Sequence, residues 1–215
     1  MTHYYINKKT TNMLMRRYTI LLLALLSTIL PLHAQTATDI LDQSAAALKS
    51  AGDARIDFTA NMDGSSGKGY IKLQGKKFVL NLGGMITWFD GKTMWSYVVK
   101  NEEVTVTEPT AAQIAKINPY SFLQFYKKGY KTSMGKSTPK EHEVILQSDG
   151  AGQYKKVVIR VNRKTHYPVS LSMTTNADTQ VTIHCNNVKG QQKFSASTFT
   201  FNPKRYPKAE VVDLR

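Results

Sequence analysis

The chain has 215 residues, a length typical of one domain or two small ones. Its content of 41% hydrophobic and 10% aromatic residues excludes wholesale disorder, and its one cysteine excludes an internal disulfide framework and a multi-cysteine metal cluster. The 29 Lys and Arg residues against 15 Asp and Glu residues give a net charge of +14, which is typical of proteins that meet anionic partners.

A short apolar segment near the N-terminus predicts a secretory signal peptide. Residues 20–30 form an uncharged apolar run of 11 residues after an Arg-Arg pair, and Ala34 supplies a small residue for cleavage. The run is too short for a transmembrane helix, which needs about 20 residues. We therefore expect residues 1–34 to be a cleaved signal peptide and residues 35–215 to be a single mature domain.

The predicted leader also bears on the anchoring and the charge of the mature chain. A bacterial lipoprotein needs a cysteine directly after the cleavage site, and Gln35 stands there, so we expect a soluble chain without a lipid anchor.

The leader holds four basic residues and no acid, which leaves the mature chain a charge of +10. Because the chain is predicted to be secreted, we expect no nucleic-acid partner. Acidic proteins, anionic lipid headgroups and plain solubility remain as explanations of the charge.

The mature chain is predicted to begin with one helix and to continue almost entirely in short strands. Apolar residues recur at helical spacing after Thr38, which can cap the helix, and Ala51 and Gly52 end it. From residue 54 onward, apolar and polar residues alternate through about 11 strands that tight turns separate. The alternating apolar residues include Ile56, Phe58, Ala60 and Met62; Ile71 and Leu73; Phe78, Leu80 and Leu82; Val104 and Val106; Val144 and Leu146; Val157, Ile159 and Val161; Val169, Leu171 and Met173; Val181, Ile183 and Cys185; Phe199 and Phe201.

The two-residue period breaks between Pro109 and Gly129, where PTAAQIAKI and NPYSFLQFYKK look helical. Thr110 and Asn118 can cap these two helices. Successive strands joined by tight turns favour an antiparallel meander, and a sheet with one apolar face must bury that face. We therefore predict a mainly β fold in which a long sheet curls into a barrel or partial barrel and the helices fill its open side.

The sequence carries no catalytic or metal-binding pattern. His142, His166 and His184 have no metal-ligand spacing, and no nucleophile elbow, phosphate-binding loop or dinucleotide-binding glycine motif is present. His184 and Cys185 are adjacent in a predicted strand, so their side chains point to opposite faces and cannot share a metal. We therefore predict that the protein is not an enzyme and that it uses no metal and no cofactor.

Large flexible apolar residues are the remaining signal. Methionines and aromatic residues are spread over the predicted strands, and NPYSFLQFY is very aromatic for a short helix. Methionine adapts to irregular partners, so such residues on a concave face can bind a flexible ligand such as an acyl chain. The alternative is that the same residues simply form the core, and the residues alone leave both interpretations open.

Five segments, in order, are similar to those of a known family. FDGKTMWSY is similar to the family's S-D-G-K-T-L-W-x-Y, and ARIDFTANM and GYIKLQGKKFVLN are similar to its first strands. NPYSFLQFY takes the place of the short helix after its middle loop, and FTFNP is similar to its F-x-F-x-P-P close. Across residues 36–205 the chain resembles the periplasmic outer-membrane lipoprotein carriers, the LolA-like family.

This resemblance implies an unclosed antiparallel β-barrel, a half-barrel of about 11 strands with an N-terminal helix and a helical lid. It implies a monomeric periplasmic chaperone that takes triacylated lipoproteins from an inner-membrane ABC transporter, shields their acyl chains and delivers them to an outer-membrane acceptor. It also implies no covalent chemistry and no cofactor.

On this interpretation the acyl chains lie against one apolar face, and a lid closes over them. The predicted acyl-binding residues are Phe58, Met62, Leu73, Phe78, Leu80, Leu171 and Met173. The predicted lid residues are Ile114, Ile117, Phe122, Leu123 and Phe125. The family has a lid-locking arginine, followed by proline, near a segment where this chain has Lys76 and Lys77. These two lysines are the candidates for a lid latch, although lysine lacks the planar fork of arginine.

Two other functions stay open on the sequence alone. One is a regulatory module of the same fold that senses lipid or lipoprotein in the periplasm, although such members usually carry a second domain. The other is a secreted hydrolase acting on lipid or glycan, which would need a catalytic triad in the structure.

Overall fold

The computed structural model describes residues 35–111, 113, 114 and 125–215. The predicted signal peptide and the predicted lid residues Ile117, Phe122 and Leu123 lie outside the described residues, and of Phe125 only the backbone is described. None of the helices in the described ranges is long and apolar enough to cross a membrane.

In the described part of the chain, the α-helix α1 (Ala37–Ser50) precedes the sheet. It is capped by Thr36, whose hydroxyl accepts the Asp39 amide N–H at 3.1 Å, while the Asp39 carboxylate accepts the Thr36 amide N–H at 3.0 Å. This capping box satisfies two amides at the helix start. The prediction of Thr38 as the cap is wrong, because Thr38 lies within the first turn and its hydroxyl contacts that of Thr132 at 3.2 Å.

Among the described residues, twelve strands follow and form one sheet. Six lie before the predicted lid: β1 (Ala54–Met62), β2 (Ser65–Gln74), β3 (Lys77–Leu82), β4 (Met85–Phe89), β5 (Met94–Val98) and β6 (Glu103–Thr107). Six lie after it: β7 (Tyr130–Met134), β8 (Glu141–Ser148), β9 (Lys156–Asn162), β10 (Pro168–Thr174), β11 (Gln180–Lys189) and β12 (Glu210–Asp213).

The sheet consists of two antiparallel meanders that meet at β1. Strands β2 to β6 follow β1 in spatial order on one side, and β11 to β7 run outward on the other. The pairing of β1 with β11 contains an irregularity between Asp57 and Phe58, and β12 lies parallel to β6. The edge strands β12 and β7 are not neighbours, so the described sheet is unclosed. The predicted mainly β, half-barrel-like fold with an N-terminal helix is confirmed.

Three elements at the margins of the sheet differ from the predicted pattern. The sequence pattern does not predict the edge strands β7 and β12, because β7 is largely polar and β12 spans only Glu210–Asp213. The prediction of a strand at Phe199 and Phe201 is wrong, since Ala196–Phe199 form a 3-10 turn. Phe199 is fully buried against the sheet there, so its ring packs on the sheet without its backbone joining the ladder.

One face of the sheet, which we call the helix face, packs against α1. Ile40 and Leu41 of α1 lie in a buried cluster with residues of β8 to β10, including Ile159. Leu48 lies in a second buried cluster with residues of β1 to β4, including Phe78. The helix therefore contributes to the core of both meanders, and its apolar side faces both clusters.

The other face of the sheet, which we call the opposite face, is covered by the segment of residues 194–209. Val79, Trp88 and Val104 from the sheet form a third buried cluster with Phe199 of this segment. The ring of Tyr206 meets that of Trp88 edge to face, with 5.6 Å between centroids, a favourable arrangement of two aromatic rings. The strands β3 to β6 are therefore in contact with apolar residues on the opposite face, while α1 packs on the helix face.

Candidate functional site

All seven predicted acyl-binding residues lie on the helix face of the sheet. Four of them belong to the cluster that contains Leu48 of α1: Phe58, Leu73, Phe78 and Leu80. Two belong to the cluster that contains Ile40 of α1: Leu171 and Met173. Half-buried Ile183 packs against both clusters, so the two groups are parts of one continuous apolar surface.

Exposure on the helix face rises along the strands with distance from the buried clusters. On β1, Phe58 is buried, Ala60 is half-buried and Met62 is 55% exposed. On β3 and β4, Phe78 is 1% exposed whereas Met85 is 41% exposed. The residues at this open end, which we call the apolar strip, are Ala60, Met62, Leu80, Leu82, Met85 and Val98.

The register of the sheet brings the members of the apolar strip together. Leu82 on β3 lies directly across from Met85 on β4. Between β1 and β3, strand β2 contributes Gly67 and Gly69 to this face, so the surface there carries no side chain of its own. The ring of Phe58 lies over Gly69, where an added Cβ would be only 2.8 Å from it. The strip therefore has large side chains on β1 and β3 on either side of the glycines of β2.

The first turn of the predicted lid is anchored on the helix face. The Thr110 hydroxyl accepts the Gln113 amide N–H at 3.3 Å, and the Gln113 side-chain oxygen accepts the Thr110 amide N–H at 2.8 Å. The Ile114 amide N–H donates to the Thr110 carbonyl at 2.9 Å, and the Ile114 side chain packs against the cluster of Phe78. Thr110 therefore caps a helical turn as predicted, and Ile114 is the described lid side chain that reaches the apolar surface.

The segment that follows the lid is fixed to α1. Tyr126 lies in the 3-10 turn Phe125–Lys127, is 3% exposed, and donates its hydroxyl hydrogen to the Asp42 carboxylate. The Lys127 ammonium lies 3.2 Å from the same carboxylate. The hydrogen bond from Tyr126, aided by Lys127, lowers the pKa of Asp42. Burial, together with Asp42, raises the pKa of Tyr126.

The two predicted latch lysines lie at the turn between β2 and β3. Lys76 is exposed within this turn. Lys77 begins β3 and alternates with Phe78, so its side chain starts on the opposite face of the sheet. The lid residues that a latch would hold lie outside the described ranges, so the latch stays a prediction.

A cavity of about 550 Å³ opens beside the start of the lid. Its described lining mixes apolar, polar and charged side chains: Met94, Thr107, Glu108, Pro109, Gln113, Leu214 and Arg215. The volume lies within the range of ligand cavities, about 300–1,000 Å³. Sequence reasoning missed this cavity because Leu214 and Arg215 reach it only through the pairing of β12 with β6.

Reactive groups are sparse on the helix face. His142 is buried, and burial together with the charges of Arg163 and His166 lowers its pKa. Cys185 packs against the cluster of Phe58, and burial raises its pKa to about 11. Within residues 35–111, 113, 114 and 125–215, no group of three or more His, Cys, Asp or Glu side chains could hold a metal ion. What this face offers a ligand is apolar contact.

Comparisons with known proteins bear on the fold and on the family. No curated protein matches the chain. A solved structure of an uncharacterized conserved protein from Thermus thermophilus is similar with a TM-score of 0.57 and 11% identity, over 82% of this chain and 98% of that chain. This likeness supports the fold.

Two further solved structures are similar at lower TM-scores. A LolA superfamily protein from Nitrosomonas europaea has a TM-score of 0.40 and 12% identity, over 78% of this chain and 99% of that chain. A complex of MucA and MucB from Pseudomonas aeruginosa has a TM-score of 0.45 and 12% identity, over 82% of this chain and 63% of that chain.

The family comparison is the decisive one. The family model described as outer membrane lipoprotein carrier protein LolA matches residues 26–177, which is more than half of the chain. The match takes in α1, strands β1 to β10 and the predicted lid, so it covers both meanders and most of the helix face. The chain belongs to the family of the outer membrane lipoprotein carrier protein LolA.

Proposed function

We propose that this protein is a periplasmic carrier that binds the acyl chains of lipoproteins on its helix face. In this role it takes triacylated lipoproteins from an inner-membrane ABC transporter and passes them to an outer-membrane acceptor. Membership of the LolA family supports the class of cargo. The single observation that supports the place of binding is the apolar strip, where side chains as large as Met62 are exposed next to a buried core.

The apolar strip offers what an acyl chain needs in order to leave water. Each methylene that is buried contributes about 0.8 kcal/mol, so three acyl chains provide a large gross affinity without any specific hydrogen bond. Met62 and Met85 are flexible and exposed, and methionine side chains adapt to ligands of irregular shape. The strip is therefore suited to cargo that shares its acyl chains and differs in its protein part.

The fully buried members of the predicted set have a different role in this proposal. Leu73 and Phe78 lie in the cluster with Leu48, so they form the core that holds the strip in shape. Replacing either with a charged residue would unfold the meander before it reported on binding. The exposed positions Met62 and Met85 are therefore the informative ones.

Binding and release require the lid and the cargo to share one surface. Ile114 packs against the same cluster that borders the strip, so an entering acyl chain competes with the lid for apolar contacts. The capping box at Thr110 and the hydrogen bond of Tyr126 to Asp42 hold the two ends of the lid segment.

Native mass spectrometry of the mature chain with a synthetic triacylated lipopeptide tests this proposal. Met62→Glu and Met85→Glu each place a charge in the strip. Each is expected to weaken binding about tenfold, because losing the burial of two methylenes raises the free energy of binding by an amount that corresponds to about tenfold in affinity. Val211→Glu is the matched control, because Val211 is 51% exposed and lies across from Val104 of the opposite-face cluster.

The proposal requires the wild-type chain and Val211→Glu to bind the lipopeptide alike and both strip variants to bind it more weakly. Equal binding by all four proteins, or no binding by the wild-type chain, contradicts it. Thermal melting by circular dichroism shows whether each variant remains folded.

A further inference from the structure

A second cavity lies on the opposite face, between the sheet and the segment of residues 194–209. Its volume is about 180 Å³, below the range of about 300–1,000 Å³ that drug-sized ligands need. The sheet contributes Lys72 and Trp88 to its lining, and the covering segment contributes Ser195, Ser197, Thr198 and Arg205. A cavity of this size and polarity suits one small polar group and not an acyl chain.

The charge around this second cavity is positive and largely unpaired. Arg55, which neighbours the cavity, forms an ion pair with Asp57 at 2.6 Å. In the part of the chain that the structure describes, Lys72 and Arg205 take part in no ion pair. Burial, followed by the charges of Arg55 and Arg205, lowers the pKa of Lys72. An anion between these cations would relieve their mutual repulsion.

Contacts within the protein position the Lys72 side chain, and a short turn fixes the backbone that carries Arg205. The Lys72 ammonium lies 5.7 Å from the centre of the Tyr70 ring and 5.6 Å from that of the Phe194 ring, within the range of cation–π contact. Arg205 ends the short turn Pro203–Arg205, in which the Asn202 side chain accepts the Lys204 amide N–H at 3.0 Å. A side chain that is positioned in this way, as that of Lys72 is, loses little freedom when it binds a ligand.

Hydroxyl groups supply hydrogen-bond donors on the other side of the cavity. The Ser195 hydroxyl lies 2.9 Å from that of Ser197 and 3.2 Å from that of Thr198. Because a hydroxyl can rotate its hydrogen, this group can turn donors toward an anion. Two cations and three hydroxyls therefore surround one small space.

We propose that this second cavity binds a small oxyanion, namely a phosphate group that is either free or carried as the headgroup of a lipid. A phosphate presents several acceptor oxygens in a tetrahedral arrangement, so it can accept from Lys72, Arg205 and the hydroxyls at once. The cavity and the apolar strip are on opposite faces of the sheet. The phosphate site is therefore independent of acyl-chain binding.

Calorimetric titration of the mature chain with inorganic phosphate, at constant ionic strength, tests this site. Lys72→Met and Arg205→Gln each remove one charge and are expected to weaken phosphate binding about tenfold. Lys68→Met is the matched control, because Lys68 lies on the same strand and the same face but is exposed and does not line the cavity. Arg205 is itself exposed, so Arg205→Gln keeps the test valid if Lys72→Met fails to fold.

The site is supported if the wild-type chain and Lys68→Met bind phosphate alike while Lys72→Met and Arg205→Gln bind it more weakly. It is overturned if the wild-type chain binds no phosphate, or if Lys68→Met weakens binding as much as Lys72→Met.

The source of the phosphate is distinguished with glycerol 3-phosphate and with vesicles that contain phosphatidic acid. Lys72-dependent sedimentation with the vesicles assigns a lipid headgroup, and binding of glycerol 3-phosphate alone assigns a soluble phosphate. Met62→Glu should leave phosphate binding unchanged.

Discussion

At the residue scale, the two glycines that β2 contributes to the helix face differ in how closely their neighbours approach. A Cβ added at Gly69 would lie 2.5 Å from the Asn81 carbonyl oxygen and 2.8 Å from the Phe58 ring. A Cβ added at Gly67 would meet only the Leu82 side chain, at an ordinary contact distance of 3.5 Å. The absence of a side chain at Gly69 therefore lets the Phe58 ring lie close against β2.

We expect Gly69→Ala to destabilise the protein by about 1–3 kcal/mol, the usual cost of overpacking a core. Backbone and an aromatic ring crowd the new methyl group from two sides, so neither can move away easily. Gly67→Ala is the control and should change the free energy of unfolding by about 0.5 kcal/mol or less. Urea denaturation measures both variants, and equal effects at the two positions would show that the contact with Phe58 is not tight.

At the scale of elements, the lid segment depends on its attachment to α1. Tyr126 and Asp42 are 84 residues apart in the sequence, yet the hydrogen bond between them fixes the end of the lid to the helix. The Asp42 carboxylate is exposed, so the Lys127 ion pair contributes little by itself. The buried ring of Tyr126 positions its hydroxyl for the hydrogen bond, which is the larger contribution to this anchor.

We expect Tyr126→Phe to cost about 0.5–1.5 kcal/mol at pH 7, because the hydrogen bond is lost while the ring stays packed. The folded state lowers the pKa of Asp42 below its ordinary 3.8, so this contribution is complete above that pH and is lost as the pH falls below it. The difference between wild type and variant in urea denaturation should therefore shrink as the pH is lowered from 7 to 3. A difference that stays constant with pH would contradict this account, and Lys127→Gln serves as the control with a small effect.

At the scale of the whole molecule, the described sheet is unclosed, so its edge strands can present unpaired backbone groups to other chains. The Glu210 amide N–H donates to the Glu102 carbonyl at 2.8 Å, and the Leu214 amide N–H donates to the Val106 carbonyl at 2.9 Å. These bonds attach the C-terminal strand β12 along β6 and cover an edge that would otherwise be free to pair with another chain. The same segment brings Leu214 and Arg215 to the cavity beside the lid.

We expect removal of residues 210–215 to expose the edge of β6 and to cause association that increases with concentration. Light scattering after size-exclusion chromatography compares the molar mass of the truncated protein with that of residues 35–215. Arg215→Gln is the control, since it breaks the ion pair with Asp213 but keeps the strand. If the truncated chain associates no more than the control at any concentration, β12 does not protect the sheet.

The sequence predicts this molecule well where the period of a strand determines the outcome. The alternation in β1, β2, β3 and β10 puts the predicted acyl-binding residues on one face, because successive side chains in a strand point to opposite sides. The pattern fails at β7, which is largely polar. It also fails at Phe199, because the two-residue spacing of Phe199 and Phe201 imitates a strand although Phe199 lies in a 3-10 turn. It cannot reveal the hydrogen bond of Tyr126 to Asp42 or the lining of either cavity, since these depend on residues that are distant in the chain.

Photocrosslinking in cells tests the central claim, that the helix face carries lipoprotein acyl chains. A benzophenone amino acid replaces Met62 in the apolar strip or Val211 on the opposite face, two positions of similar exposure. After irradiation, mass spectrometry identifies what each position has captured. We predict acylated lipoproteins at position 62 and none at position 211. Lipoprotein captured equally at both positions, or at neither, would contradict binding at the strip.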